Sequence, residues 1–241
     1  MDYIDEARAI KDVIVGYRRH FHMYPEASGE EVNTAAFIAD KMKELGLAVT
    51  CQVGAPLPGV VAILHGEGGP GKTIAFRADM DALHIEEANE VPYKSRQAGL
   101  MHACGHDGHM AVLLGAATLL AQHKSLLKGN VKFIFQPQEE IYGGAVPMID
   151  DGVMENPHVD AIFCLHMDPS IQAGHIGIRH GETLASSDRL IIKIFGKSAH
   201  GATPHLAVDP IVVSAHALLA LQSVISRKIP RRSTSSAMAL G

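Results

Sequence analysis

The ten residues MHACGHDGHM, at positions 101–110, form a dense group of potential metal ligands. They combine one cysteine with three histidines, and thiolate sulfur and imidazole nitrogen are ligands that zinc and related divalent ions prefer in proteins. Cys104 and His106 are two residues apart, so on an extended segment their side chains would project to the same face and reach one site. A single histidine is more often a hydrogen-bonded core or surface residue, but this cluster favours metal binding.

Two adjacent carboxylates, Glu139 and Glu140, follow the apolar run FIFQPQ and can complete such a site. They fall at the carboxyl end of a predicted strand, where α/β proteins place their sites. Neighbouring residues point in different directions, so one carboxylate can ligate a metal while the other faces a water. In metal-assisted hydrolysis the ion lowers the pKa of the water and a nearby carboxylate takes its proton. The alternative, an exposed acidic turn, is disfavoured by the apolar strand before it.

Other candidate residues lie next to predicted strands or in turns. His166 closes the apolar run DAIFCL and can reach the same crevice, whereas Cys164 lies inside that run and is predicted to be a buried core residue. Asp79 and Asp81, in RADMDAL, follow another strand, and one of them can orient a ligating histidine from behind. His200 lies in the glycine-rich turn GKSAHGATPH, and on spacing alone it is predicted to be a surface histidine.

The segment GEGGPGKT, residues 66–73, matches the nucleotide-binding pattern G-x-x-x-x-G-K-[ST] letter for letter. A phosphate-binding loop must open a helix, because the free N–H groups of the helix amino terminus hold the phosphates. Here Lys72 is followed by the β-rich TIAFRAD, and Pro70 removes a backbone donor from the loop. The sequence therefore favours a hairpin between strands at 60–64 and 73–76 over nucleotide binding.

The elements that must position these residues alternate between helices and strands, which indicates an α/β layered fold. Apolar residues predict a buried helix over 110–120. Ser28 and Glu31 match a capping box at the start of another helix. The runs at 131–135 and 160–165 are predicted to be interior strands.

The pattern of residues changes near residue 183. We therefore predict two domains, residues 1–183 and residues 184–241. The second domain is predicted to begin with a strand, RLIIKIFG at 189–196, and to continue into a helix. Asp209 as N-cap and Pro210 at the first helical position are a strong start signal for that helix.

Composition excludes several classes of function. The 241 residues, 47% hydrophobic and 20% charged, have the balance of a globular protein. A formal net charge of -5 gives no broad positive field for nucleic acid or an anionic membrane, and no apolar run approaches the roughly 20 residues of a membrane helix. The amino terminus lacks the basic start of a secretory signal, and three cysteines cannot form a full disulfide set. We therefore expect a cytoplasmic protein without nucleic-acid or membrane partners.

These motifs resemble those of the cocatalytic zinc aminoacylase and carboxypeptidase family of metallopeptidases. The resemblance is strongest to the amidohydrolase branch, which contains hippurate hydrolase, auxin-conjugate amidohydrolases and N-acetyldiaminopimelate deacetylase. The matching stretches follow the family's order along nearly the whole chain: RRHFHMYPEASGEE, RADMDAL, MHACGHDGHMAVLLGAA, FQPQEE, LHMDP and GKSAHGATPHLAVDPI.

The resemblance implies a fold and a cofactor. The catalytic domain would be a phosphorylase/hydrolase-like three-layer α/β sandwich, followed by the start of an α+β ferredoxin-like lid that mediates homodimerisation. The cofactor would be two divalent metal ions, with Zn or Mn expected first and Co or Ni next.

The resemblance also implies a role for each residue near the metals. Cys104 would bridge the two ions, and His106, Glu140 and His166 would supply further ligands. Glu139 would be the general base and later the proton donor to the leaving amine.

Two more residues acquire roles outside this ligand set. Asp81 resembles the family's structural acid behind the metals. His200 matches a lid histidine that, in relatives, reaches the partner subunit's site and stabilises the tetrahedral oxyanion.

The leading hypothesis is a metal-dependent amidohydrolase that cleaves the amide bond of N-acyl amino acids or small peptides with a metal-activated water. Family members continue beyond the length of this chain and carry one more ligating histidine there, so we expect a truncated chain. The competing hypothesis is therefore a catalytically inactive metal-binding remnant or interaction protein of the same family. Measuring bound metal beside turnover separates the two.

Overall fold

The computed structural model describes residues 3–178, 180–181 and 190–228. The chain divides into two compact units, Met1–Ser170 and Ile171–Gly241. Within the described residues, no helix combines the length and the apolar character needed to cross a bilayer. The predicted domain boundary falls outside the described residues and stays a prediction.

The first unit is built on a five-stranded mixed sheet in the order β1-β2-β4-β3-β5. The strands are β1 (Ala48–Val53), β2 (Gly59–His65), β3 (Thr73–Asp79), β4 (Asn130–Gln136) and β5 (Ala161–Cys164). β2 is antiparallel to both of its neighbours, whereas β3 is parallel to β4 and β5. The carboxyl ends of β3, β4 and β5 therefore meet at one end of the sheet, and the predicted α/β class is confirmed.

Longer helices pack on one face of this sheet, and a segment with one short helix packs on the other. The α-helices described in the first unit are α1 (Tyr3–Ala9), α2 (Lys11–Met23), α3 (Val32–Glu44), α4 (His106–Gln122) and α5 (Ala145–Asp150). Phe133 and Phe135 of β4 share one core with Met110 of α4. Ile134, between them, points to the opposite face and packs with Met148 of α5. Side chains thus alternate between two cores, as the two-residue period of a strand requires.

β2 and β3 do not form the predicted hairpin, because β4 lies between them. Their connection crosses close to the start of β4, where the N–H of Gly66 donates to the carbonyl of Gly129 at 2.8 Å. A Cβ at Gly66 would lie 2.2 Å from the carbonyl oxygen of Leu127, so only glycine permits this backbone crossing. Lys72 leads directly into β3 rather than into a helix, which agrees with the rejection of a phosphate-binding loop.

β5 is an edge strand, so the prediction of an interior strand is wrong for the described part of the chain. Ile162 and Phe163 are 47% and 56% exposed, and no described residue pairs with the outer edge of β5. Cys164, predicted to be buried, is exposed. An apolar run indicates a strand, but its place within a sheet depends on residues far away in sequence.

The second unit contains the helix α6 (Pro210–Lys228), as predicted. The carboxylate of Asp209 accepts a hydrogen bond from the N–H of Ile211 at 2.9 Å, which confirms the N-cap.

The strand predicted over 189–196 is absent from the described residues 190–196. An isolated bridge between Lys197 and Val208 lies just beyond it. Leu190 and Phe195 are exposed. A strand needs a partner for its backbone N–H and C=O groups, and the described residues of this unit provide none for this segment.

Candidate metal centre

The start of α4 brings Cys104 and His106 together through a turn, so the prediction of an extended segment is wrong. Gly105, between them, has a φ of +91° and precedes the first residue of the helix. This left-handed backbone conformation is favourable for glycine and strained for most other residues. The turn, rather than the alternation of a strand, therefore places the thiol and the imidazole side by side.

Potential ligand atoms converge where this turn meets the carboxyl ends of the parallel strands. Three groups have their ligand atoms within 4.8 Å of one another: Cys104 with His106 and His166, His106 with Glu139 and Glu140, and His106 with Asp79 and His109. His106 belongs to all three groups and lies at their centre. The structure thus brings together every residue that the sequence predicted as a metal ligand, together with the predicted base.

The rings of His106 and His166 each use Nδ1 for a hydrogen bond to a backbone carbonyl. Nδ1 of His106 lies 2.8 Å from the carbonyl oxygen of Asp81, and Nδ1 of His166 lies 2.7 Å from that of Met167. A carbonyl oxygen only accepts, so both Nδ1 atoms carry the proton and both Nε2 atoms keep a lone pair. Metal-ligating histidines typically donate their second ring nitrogen in this way. Nε2 of His166 lies 3.4 Å from Sγ of Cys104.

Two buried atoms that face each other here have no hydrogen-bond partner. They are Nε2 of His106 and Oε1 of Glu140, which lie 3.6 Å apart. Leaving a buried polar atom unsatisfied costs about 1–3 kcal/mol, and a bound cation would remove that cost for both atoms. A thiol, two imidazoles and a carboxylate suit Zn²⁺ or another divalent first-row ion. The residues present therefore fit a metal centre.

The electrostatic potential at the cluster is negative. Burial and the carboxylate of Glu140 raise the pKa of Cys104 to about 12. Burial lowers the pKa of His106, but its hydrogen bond to Asp81 and the charges of Asp79 and Glu140 outweigh burial, so the net pKa is raised. Both groups hold their protons more tightly than usual, and the same negative potential favours a divalent cation that displaces those protons.

Glu139 lies beside the ligand cluster and remains open to solvent. Its Oε2 is 4.0 Å from Nε2 of His106, and its side chain is 37% exposed. Burial raises the pKa of Glu139, and the negative charges of Asp79 and Glu140 raise it further. A carboxylate with a raised pKa beside a cation site is suited to take a proton from a water.

Ser28 and Glu31 do not form the predicted capping box. The helix α3 begins after Glu31, and neither side chain caps it. The N–H groups of Asn33 and Thr34 donate instead to the carboxylate of Glu26, at 3.2 and 2.8 Å. Glu26 therefore satisfies the free donors of the first helical turn.

Ser28 and Glu31 instead support the site, a role that the sequence analysis missed. The hydroxyl of Ser28 donates to Oδ2 of Asp81 at 2.6 Å, and the same oxygen accepts the N–H of Glu140 at 2.9 Å. Glu31 accepts the N–H of Gln138 at 2.7 Å, where the backbone has a strained φ of +57°. The buried acids thus hold the loop that carries the glutamate pair. Asp81 itself reaches His106 through its backbone carbonyl.

The other two histidines of the motif are not equivalent to His106. Nδ1 of His109 lies 2.6 Å from Oδ1 of Asp79, and its Nε2 accepts the N–H of Met167 at 2.9 Å. His102 is buried with no partner for either ring nitrogen, and burial lowers its pKa to about 4. It belongs to none of the ligand groups found among the described residues.

His200 lies in the second unit, in a turn closed by a hydrogen bond from the N–H of Thr203 to its carbonyl at 2.8 Å. Its Nδ1 accepts the N–H of Ala202 at 3.1 Å, and the residue is exposed. The oxyanion role implied by the family resemblance stays a prediction.

Sequence comparison finds relatives along most of the chain. The profile described as Peptidase family M20/M25/M40 matches residues 75–240. The N-acetyl-L-cysteine deacetylase of Bacillus subtilis (strain 168) is 45% identical over 216 residues, which are 90% of this chain and 51% of that protein. The N-acyl-L-amino acid amidohydrolase of Geobacillus stearothermophilus is 40% identical over 222 residues, 91% of this chain and 58% of that protein. The chain thus spans little more than half the length of these relatives.

Structure comparison finds the same similarity. The crystal structure of the Bacillus subtilis YXEP protein, described as a dinuclear metal binding peptidase from the M20 family, matches with a TM-score of 0.68 and 40% sequence identity. The match covers 72% of this chain and 48% of that one.

Proposed function

The chain belongs to peptidase family M20/M25/M40, and from that membership and the geometry of the site we propose that it is a metal-dependent amidohydrolase of the cytoplasm. The proposed substrates are N-acyl amino acids, in keeping with the names of the two relatives, or small peptides, in keeping with the description of the family. The observation that carries the proposal is the convergence of Cys104, His106, Glu140 and His166, with buried, unsatisfied ligand atoms among them.

The proposed cofactor is a pair of divalent ions, with Zn or Mn preferred over Co or Ni. Cys104, His106, Glu140 and His166 would hold these ions. When bound, such ions polarise the substrate carbonyl and lower the pKa of a water.

The proposed mechanism assigns the proton transfers to Glu139. Its carboxylate takes a proton as the oxygen of a water forms a bond to the acyl carbon. The same carboxyl then gives that proton to the amide nitrogen as the C–N bond breaks, which releases the amine. Asp81 holds the ring of His106 through its carbonyl and holds the backbone of Glu140 through its carboxylate.

Space for a small substrate lies beside the ligands. An open cavity of about 510 Å³ borders Cys104 and is lined by Arg18, Tyr93 and Met167, among others. We assign part of the acyl group or side chain of the substrate to this cavity, which suits a small ligand.

For the second domain, residues 184–241, we propose the start of an α+β ferredoxin-like lid that follows a three-layer catalytic domain, residues 1–183. His200 is exposed in a glycine-rich turn, which supports a contact outside its own element. In a homodimer formed through the complete lid, His200 would stabilise the oxyanion in the partner subunit.

The variant Glu139→Gln tests the mechanism. We expect it to hydrolyse hippurate or N-acetyl amino acids about 10²–10⁴-fold more slowly in kcat than the wild type when both are loaded with Zn²⁺ or Mn²⁺. Bound metal should stay unchanged. Glu90→Gln, an exposed acid paired with Lys94 in the same unit, is the matched control and should keep full turnover. Unchanged turnover in Glu139→Gln would remove this mechanism, and a wild type that binds metal without turnover would support the inactive alternative.

A further inference from the structure

His109 joins helix α4 to the segment that follows β5. Its ring is buried between a carboxylate oxygen of Asp79, 2.6 Å from Nδ1, and the N–H of Met167, 2.9 Å from Nε2. A carboxylate accepts and a backbone N–H donates, so Nδ1 carries the proton and the lone pair of Nε2 is already used. His109 therefore has no lone pair left for a cation, although its ring centroid lies 4.9 Å from that of His166.

The backbone of Met167 connects His109 to His166. Its N–H donates to the ring of His109, and its carbonyl accepts the Nδ1 proton of His166 at 2.7 Å. A line of three hydrogen bonds, joined through the backbone of Met167, thus runs from the carboxylate of Asp79 through His109 to His166. The far end of that line is Nε2 of His166, the nitrogen that lies next to Cys104.

His166 depends on such support more than His106 does. His166 is exposed and follows the end of an edge strand, whereas His106 is 1% exposed at the start of a buried helix. Two glycines at the start of α4 lie against the segment that carries His166. A Cβ on Gly105 or Gly108 would lie 3.0 or 2.9 Å from side-chain atoms of Met167, so both glycines make room for it.

We propose that His109, backed by Asp79, is a positioning residue that sets the ring of His166 for cation binding and is not itself a ligand. The inference rests on the proposed metal-dependent function. The bond to His109 holds the N–H side of Met167, and the carbonyl that orients His166 lies across the Cα of the same residue. Without that bond, the backbone of Met167 loses its anchor to α4. Hydrogen-bond partners behind ligating histidines typically change metal affinity about 10–100-fold, so the loss of His109 weakens binding although every ligand remains.

The variant His109→Phe tests the inference, because it keeps a ring of similar size and removes both hydrogen bonds. Zn²⁺ affinity of the 241-residue chain, measured by competition with a chelator, should fall about 10–100-fold. His102→Phe is the matched control: it replaces a buried ring of the same motif that makes no hydrogen bond, and it should keep the wild-type affinity. Melting temperatures of the two metal-free variants measure the structural cost separately.

The outcomes separate this inference from the proposed function. Equal Zn²⁺ affinity in His109→Phe and the wild type would overturn the inference and leave the function standing. A wild-type chain that binds no Zn²⁺ would overturn both.

A spectroscopic test needs no variant and so does not depend on the folding of His109→Phe. In the wild-type chain with ¹⁵N-labelled histidine and bound ¹¹³Cd²⁺, we expect scalar coupling of cadmium to Nε2 of His106 and of His166. His109 should show a protonated Nδ1 and no coupling to cadmium. Coupling of cadmium to His109 would make it a ligand and overturn the inference.

Discussion

The two sides of the candidate metal centre are built differently. The helix side, Cys104 and His106, stands at the start of α4, where His106 is fully buried and its ring is held by a backbone carbonyl. The strand side, His166, is exposed after an edge strand and is tethered through the backbone of Met167. The same kind of ligand is thus fixed by the core on one side and by a hydrogen-bonded line on the other. Fold stability and ligand geometry should therefore be coupled only on the helix side.

Removing one histidine from each side is the strongest test of this difference. His106→Ala and His166→Ala should both weaken Zn²⁺ binding by more than about 100-fold. This loss exceeds the loss of about 10–100-fold expected when only a hydrogen-bond partner behind a ligand is removed. In the metal-free chain at low pH, where the raised pKa of His106 keeps it charged, only His106→Ala should also lower the free energy of unfolding, by about 3 kcal/mol. It leaves the buried carboxylates of Asp79, Asp81 and Glu140 without their shared cation.

Chelator competition and urea unfolding measure the two effects of that pair of variants. His166→Ala should change the free energy of unfolding by no more than about 0.5 kcal/mol, as for an ordinary surface substitution. Equal destabilisation by both variants would show that the two sides are built alike.

The pH dependence of cation binding tests the helix side separately, through the thiol of Cys104. Because burial and Glu140 raise the pKa of Cys104 to about 12, the free thiol is protonated at neutral and mildly alkaline pH. A cation must displace that proton, so Zn²⁺ affinity should rise about tenfold per pH unit on the alkaline side of the His106 titration. Chelator competition, corrected for the titration of the chelator, measures the slope, and Cys104→Ala should remove it. An affinity in the wild type that does not change with pH would contradict thiolate ligation.

The position of the ligands was easier to predict than the reason for their convergence. Strand ends followed by Glu140 and His166 indicate a shared site, because parallel strands end together. The turn at Gly105 was not predicted, since a two-residue spacing suits both an extended segment and the entry of a helix. The edge position of β5 depends on which strands pair with it, and no local pattern reports that.

The failed capping box shows how local patterns mislead near a functional site. Ser28 and Glu31 have the spacing of the motif, but their partners, Asp81 and Gln138, lie far away in sequence. The hydrogen bonds to these distant partners are partly buried, and they stabilise the fold more than a local hydrogen bond at the helix end would. No local pattern in the sequence connects Ser28 to Asp81 or Glu31 to Gln138.

Asp79 links the helix side to the line behind His166, and its acid titration should be visible in stability. Burial raises its pKa, but the hydrogen bond from His109 and the charges of His106 and Arg77 lower it more, to about 2. A depressed folded pKa contributes stability above the unfolded value of about 4, and that stability is lost as pH falls to about 2. The contribution is about 2 kcal/mol.

Urea unfolding of the metal-free chain between pH 4 and pH 2 measures this contribution. Asp79→Asn should remove it, so its stability should fall less steeply with acid than that of the wild type. Parallel acid profiles for the two proteins would argue against a charged Asp79 in the folded state.

The smallest expected effect concerns the support behind the helix side. Ser28→Ala removes one hydrogen bond to Asp81, which keeps the N–H of Glu140, so the free energy of unfolding should fall by only about 1 kcal/mol. Zn²⁺ affinity should stay close to that of the wild type, because the carbonyl of Asp81, not its carboxylate, accepts the bond from His106. Ser28→Thr keeps the hydroxyl and serves as the matched control. If Ser28→Ala weakened Zn²⁺ binding as strongly as His109→Phe, the helix side would also depend on a tether, and the contrast between the two sides would fail.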